Sequence, residues 1–279
     1  MKDWIAAGGD PNRLGLYRRV LDVEPLVDAS GRCLVFANGA IGDFTGGPTL
    51  LAAAERRLRE RGVREAIGPL DGNTFFPYRA SLGPTDDPPF LGEPLGKPDV
   101  WRGAGWREDA RYLTTSCPNE AQIAYGEGAA PDFTVRNLRM DHLLDEVRAL
   151  YEVTCASFAG AWRYEALPFE VFAALYLPLK DRIDPRWVWL AEDRDGRVRG
   201  YSFTWPEGKR FVIKTLAVHP EVQRARLGAR LMAAAHGFAA AQGVPEGLHA
   251  LMWEGSYSTA ITKHGGRAIR RYALYRKRL

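Results

Sequence analysis

The chain has 279 residues, with 38 Lys and Arg against 34 Asp and Glu for a formal net charge of +4, and 46% of its residues are hydrophobic. That balance is ordinary for a globular protein and too small to argue for a nucleic-acid partner. The length allows one large domain or two modest ones, and either can bury a core without disulfides or structural metal.

The opening residues, Met1-Lys2-Asp3-Trp4-Ile5-Ala6, hold no apolar run of signal-peptide length, so a cytoplasmic setting is expected. The most apolar helical stretch, Leu231 to Ala241, is too short to span a bilayer, and no membrane partner is expected. Cys33, Cys117 and Cys155 stand far apart, and the five histidines show no H-E-x-x-H spacing. Neither a disulfide framework nor a metal site is expected, and the thiols read as buried and inert.

An internal repeat emerges when the sequence is slid along itself. An offset of 181 lays Leu50-Leu51-Ala52-Ala53-Ala54 on Leu231-Met232-Ala233-Ala234-Ala235, Gly47 on Gly228, and Gly62-Val63 on Gly243-Val244. An offset of 160 lays Gly105 on Gly265 and Arg111-Tyr112 on Arg271-Tyr272. The first copy therefore carries 21 extra residues, which fall in the extended loop marked by Pro84, Pro88, Pro89, Pro94 and Pro98. Two copies of one α/β unit are expected, residues 1–117 and 134–279, joined by a Pro/Gly-rich linker at 118–133. Residues 1–117 hold 15 basic and 16 acidic side chains and the rest 23 and 18, so an anionic ligand is expected on the second half.

In the second half, Leu143, Leu144, Val147, Leu150 and Tyr151 share one helical face. Arg186 to Ala191 and Arg197 to Trp205 read as a hairpin about Asp193-Arg194-Asp195-Gly196. Phe211 to Val218 is a further strand, stopped by Pro220. A short Arg-rich loop follows, and an alanine-rich helix begins near Ala229. The free first-turn amides of such a helix suit a phosphate or pyrophosphate, and Arg224, Arg226 and Arg230 add charge. A solvated helix start with exposed arginines fits the same residues. Other phosphate motifs fail: residues 92–97 have three residues between their glycines and Pro98 beyond, and Gly126-Glu127-Gly128 meets Pro131 where a third glycine belongs. The basic terminal run from Arg267 to Arg278 reads as the solvent side of an alternating strand rather than a nucleic-acid patch.

The segment from Leu216 to Met232 resembles the acetyl-CoA motif of the GNAT superfamily of N-acetyltransferases, in which a strand ending in V-x-P precedes Q/R-x-x-G-x-G/A at a helix start. Val218, Pro220, Gln223 and Gly228 match, and Arg226 stands where the first glycine is usual. The resemblance covers residues 134–279; residues 30–117 look like a degenerate copy without the motif. It implies an α/β fold of two GNAT-like domains in tandem, each a mixed, mostly antiparallel sheet flanked by helices.

The implied activity is transfer of an acetyl or acyl group from acetyl-CoA to an amine, on a small molecule or peptide, by direct attack through a tetrahedral oxyanion. Leu216, Ala217 and Val218 are implied to bind the pantetheine and polarise the carbonyl, and Gln223, Arg224, Ala225, Arg226, Leu227, Gly228, Ala229 and Arg230 to hold the pyrophosphate. The family's usual Asn and Tyr are replaced by Glu254 and Ile261, so Tyr257 is the substitute acid and His219 or Glu254 the candidate base. Acceptor recognition is expected about residues 159–184, where Trp162, Tyr164, Phe169, Phe172 and Tyr176 cluster. A non-catalytic acyl-CoA-binding or scaffold protein is the alternative.

Overall fold

In the computed structural model, described over residues 1–83, 86–93 and 96–279, the first half opens with helices α1 (Lys2–Ala6) and α2 (Pro11–Arg18). Strands β1 (Val23–Asp28), β2 (Gly31–Phe36) and β3 (Ile41–Gly42) follow, then helix α3 (Pro48–Glu60), strands β4 (Glu65–Gly68) and β5 (Ala80–Ser81), helix α4 (Pro98–Gly103) and the long strand β6 (Arg107–Pro118). Helix α5 (Asn119–Gly126) leads to the second half: β7 (Thr134–Asn137), α6 (Leu143–Phe158), α7 (Phe169–Tyr176), β8 (Val188–Glu192), β9 (Val198–Glu207) and β10 (Arg210–Val218). It closes with α8 (Leu227–Ala241), β11 (Glu246–Trp253), α9 (Ser258–Thr262) and β12 (Arg267–Arg278).

Strands β4 and β6 to β12 form one sheet in the order β4-β12-β6-β11-β10-β9-β8-β7, with β5 also on β12. The pairs along it are antiparallel apart from β10 with β11. The small sheet β1-β2-β3 joins through a bridge between Ala40 and Ile67.

The two offsets equate whole elements of the structure. The 181 offset lays α3 on α8 and β4 on the start of β11, and the 160 offset lays β6 on β12. Matched glycines adopt matched left-handed backbones: Gly62 and Gly243 have φ of 78° and 74°, and Gly105 and Gly265 have 80° and 79°. Tyr112 and Tyr272, equated by the repeat, lie directly opposite each other in the β6–β12 ladder.

The halves exchange strands. β6, from the first half, lies between β11 and β12 of the second, while β12 carries β4 and β5 of the first on its other edge. Nor is the stretch 118–133 the loose linker expected from its Pro and Gly content. α5 packs against α8 so closely that a Cβ on Gly126 would lie 2.4 Å from Ala233 Cβ, and Gln122 is fully buried. Here Pro118 caps a helix and Gly126 permits a helix contact, two uses of those residues that composition alone does not separate from a linker.

Each half has its own core. α3 sets Leu50, Leu51, Ala54 and Leu58 against Val35, Ile41 and Trp101, with Tyr275 of β12. α8 sets Leu227, Leu231, Met232 and Ala235 against Phe211 and Ile213. α6 covers the opposite sheet face, packing Leu150 and Val153 on Leu190, Tyr201 and Ala217. The first copy's extra loop crosses that same face: Phe90 packs on Val212, Leu248 and Ile269, and Arg210 and Arg270 donate to the carbonyls of Pro88 and Asp87 at 2.9 and 2.6 Å. Of the prolines expected there, Pro84 and Pro94 lie outside the described residues. Among the described residues no helix is long and apolar enough to cross a membrane, and no group of side chains could hold a metal ion. The cysteines are unpaired, with Cys33 and Cys117 buried and Cys155 half-buried.

Candidate active site

The strand before α8 begins as an ordinary member of the sheet. Arg210 to Ile213 of β10 pair in parallel with Glu246 to His249 of β11. A bulge at Lys214 then shifts the β9–β10 register, and pairing with β11 stops. β11 is irregular over the same stretch: its register on β6 shifts between His249 and Met252, Leu251 has φ of 59°, and its N–H donates to Thr114 Oγ1 at 3.1 Å. The two central strands thus part company toward their carboxyl ends.

Leu216, Ala217 and Val218 lie beyond that parting, paired on one edge with Ser202, Tyr201 and Gly200 of β9. Val218 N–H donates to Ser157 Oγ of α6 at 3.2 Å. Beyond them Pro220–Ala225 makes a 3-10 turn, and α8 starts at Leu227. The N–H groups of Ala229 and Arg230 both donate to Arg226 O, at 3.0 and 3.3 Å. Among the described residues, no protein acceptor takes the amides of Leu227 and Gly228. These are the donors that an anion at a helix N-terminus uses. Gly228 keeps the approach low: a Cβ there would stand 3.4 Å from Ile261 Cδ1.

Arg226 does not stand beside the free amides. Its backbone is left-handed, with φ of 60°, which explains why glycine is usual at this position. Its guanidinium turns onto α5, donating to Tyr125 O and lying 5.0 Å from the Tyr125 ring centroid. Tyr125 in turn stacks on His264 at 3.8 Å, and Gln122 donates to His264 O at 2.8 Å, so α5 braces α9 as well as α8. Arg230 donates to Ala129 O at 3.3 Å, while Gln223 and Arg224 face solvent and Ala225 packs with the α8 core.

The three residues named for proton transfer are not gathered at one point. Tyr257 is 83% exposed at the start of α9, and its side chain makes no hydrogen bond among the described residues. Ile261, one turn on, is the residue beside Gly228, Leu216 and Val218. Glu254 directly follows β11, with its carboxylate in an ion pair with Arg271 at 2.8 Å. His219 faces α6 and the β8–β9 turn, sharing a recess with Glu152, Val153, Arg197 and Arg199 and lying 3.6 Å from Glu221.

Two residues that sequence reasoning missed are more centrally placed. Lys214 is the bulge residue itself, and Arg79 of the first half lies close enough for its charge to act on it. Surrounding protein, and secondly the charge of Arg79, hold the Lys214 ammonium below the ordinary lysine range. A lysine between Ile213 and Leu216 in an otherwise apolar central strand was the available signal. Of the aromatic residues expected to bind acceptor, Phe172 is buried and Trp162, Tyr164, Phe169 and Tyr176 are half-buried; Phe172 packs with Tyr151 and Tyr176, Tyr164 with Phe75 and Phe158, and Trp162 Nε1 donates to Asp109 at 3.2 Å.

Residues 184–277 match the family model described as an acetyltransferase (GNAT) domain. The sequence matches no curated protein. Among solved structures, the chain is similar to a GCN5-related N-acetyltransferase from Sphaerobacter thermophilus, with TM-score 0.61 and 15% identity over 98% of this chain and 88% of that one. It is also similar to a tandem GNAT protein from the clavulanic acid biosynthesis pathway, with TM-score 0.56 and 10% identity over 92% and 83% of the two chains. Residues 184–277 thus resemble a GNAT acetyltransferase domain, and the fold of the whole chain is similar to that of GNAT proteins.

Proposed function

We propose that this protein moves an acetyl or acyl group from acetyl-CoA to an amine by direct attack, at the place where β10 and β11 part. The observation that carries the proposal is one continuous path: a splayed parallel pair, a Pro220-led turn, and two unused amides at the start of α8. Leu227 and Gly228 N–H receive the pyrophosphate of acetyl-CoA, and the freed edge of Leu216, Ala217 and Val218 lies along its pantetheine. The thioester supplies an activated carbonyl, and backbone donors aimed at its oxygen stabilise the charge that develops on attack. Holding amine and carbonyl together in one site supplies much of the remaining acceleration. Glu254, just after β11, is the group of the three best placed to take the amine proton through water.

Calorimetry with acetyl-CoA tests the site, and release of free thiol in the presence of amines tests the chemistry. Binding is expected, and its loss in Gly228→Trp. An absence of binding at millimolar acetyl-CoA overturns the proposal, and binding without turnover on any amine leaves an acyl-CoA-binding protein in its place. That outcome has a specific motive, since apolar Ile261 occupies the place beside Gly228.

A further inference from the structure

The two halves bring two cations to nearby strands: Arg79 stacks on Tyr112 of β6, and Lys214 is the bulge of β10, with β11 between those strands. Arg79 comes from the first half, just before β5. It is only 8% exposed, and its backbone is left-handed with φ of 84°, which a non-glycine residue adopts only where its surroundings impose it. Its guanidinium lies 3.6 Å from the Tyr78 ring centroid and 4.2 Å from that of Tyr112, and Nη2 donates to the Tyr78 hydroxyl. The Nε atom is buried without a partner.

Of the other buried arginines, Arg270 meets Glu93, and Arg210 donates to the carbonyls of Pro88 and Pro89; half-buried Arg136 meets Glu146 and Glu192 at 2.7 and 2.6 Å. Arg79 has no carboxylate partner among the described residues. Lys214 comes from the second half and has no ion pair or hydrogen bond there either. Its side chain is exposed at the point where β10 stops pairing with β11. Two like charges held close repel unless an anion comes between them. The stacked guanidinium presents a fixed fork suited to two oxygens, and the lysine adds a mobile point charge.

We infer that Arg79 and Lys214 grip the acceptor: the amine that is acylated also carries an oxyanion, a carboxylate or a phosphate, bound between the two halves. The inference rests on the reading that the acyl group is delivered where β10 and β11 part, because Lys214 is the bulge residue at that parting. The first copy, which has no pyrophosphate loop of its own, thereby supplies half of the acceptor site.

The test uses the full chain and matched amines, read by calorimetry and ligand-observed NMR without acyl-CoA. The pairs are L-phenylalanine with phenethylamine, L-lysine with cadaverine, and phosphoethanolamine with ethanolamine. The anionic member of at least one pair is expected to bind at least about tenfold more tightly. Arg79→Met and Lys214→Met are each expected to abolish that preference, and Arg79→Lys to restore part of it by keeping charge without the fork. The carboxylate and phosphate pairs separate the two oxyanions. Equal affinity within every pair overturns the inference, as does a lack of binding by every anionic member at about 50 mM. A preference that persists in both Met variants also overturns it. Should Arg79→Met fail to fold, Lys214→Met carries the test, since its side chain is accessible. Because binding is read without acyl-CoA, an anionic amine that binds but is never acylated counts against the proposed function and not against this site.

Discussion

The two halves have elements that the offsets equate, and they differ most at the strand that precedes the long helix. In the second half β10 runs for nine residues, bulges, and leads through a 3-10 turn into α8 with two amides unused. In the first half β3 is two residues long, and only residues 43–47 separate it from Pro48, the first residue of α3. Pro48 has no N–H to offer, and the N–H of Gly47 already donates to Ser30 Oγ at 2.9 Å. Among the described residues, proline at the helix start and the Gly47 bond thus move the free amides to Thr49 and Leu50, the second and third residues of α3 rather than the first two, without disturbing the helix. What the first copy retains is structural support: a strand, a covering loop and Arg79.

The sharpest way to break this comparison is to separate the halves. Residues 1–117 and 134–279, expressed apart, are expected to lack cooperative unfolding, because each loses a strand from the middle of its sheet. In the intact chain, Tyr272→Ala and Tyr112→Ala remove buried rings from the shared ladder and are each expected to cost about 3–5 kcal/mol. Urea denaturation should show one transition moving for both halves together; two transitions moving independently would contradict the exchange of strands.

Acidity is expected to act on the halves with opposite sign. In the second half His236 and His249 face each other at 3.0 Å, with Asn119 2.9 Å from His236. Burial, joined at His236 by the charge of its partner, pushes them down to about 2 and about 3. The unfolded chain takes up those protons first, so the pair stabilises the fold near neutrality. That stability is lost as pH falls below about 6.5, by about 1.4 kcal/mol per pH unit for each histidine. In the first half burial raises buried Asp71 to about 6, although it accepts from Tyr17 at 2.6 Å. Its contribution is fully present below about 3.8 and fades as pH rises toward 6. Asp71→Asn should therefore flatten stability between those values, and His236→Gln with His249→Gln should flatten it below 6.5, both measured by denaturation across pH.

Smaller effects sharpen the contrast at the helix starts. Gly47→Trp, at the position equated with Gly228, is expected to leave acetyl-CoA affinity unchanged while Gly228→Trp lowers it by about 100-fold, or about 2.7 kcal/mol. Arg226→Gly is expected to change that affinity by less than about threefold, since the side chain already turns to Tyr125. Calorimetry decides both.

Much of this was legible from residues alone. The offsets of 181 and 160 found the matching helices and strands because alanine-rich faces and left-handed glycines leave local marks. The exchange of β6 and β12 was not legible, since alternation tells which face of a strand is buried and never which strand lies beside it. The linker was misread for a related reason: Gln122 looks like any polar residue until α9 and α8 are seen around it. The path from Leu216 to Arg230 was found through its spacing, but the direction of the Arg226 side chain depends on Tyr125, 101 residues away. Arg79 escaped notice because its significance lies in what it lacks, a carboxylate partner, and only the assembled halves show that.

The strand exchange also orders events in time. β6 is complete by residue 118, yet its two neighbours are residues 246–253 and 267–278, and β4 pairs with the final strand, Glu65 opposite Arg278. As the chain emerges, the first half must wait with its strand edges bare until residues 246–278 have been made. Closure then depends on contacts of long sequence separation, which slow folding and leave unpaired edges open to aggregation in the interval. A frameshift within the codons for β12 would accordingly leave both halves unfinished.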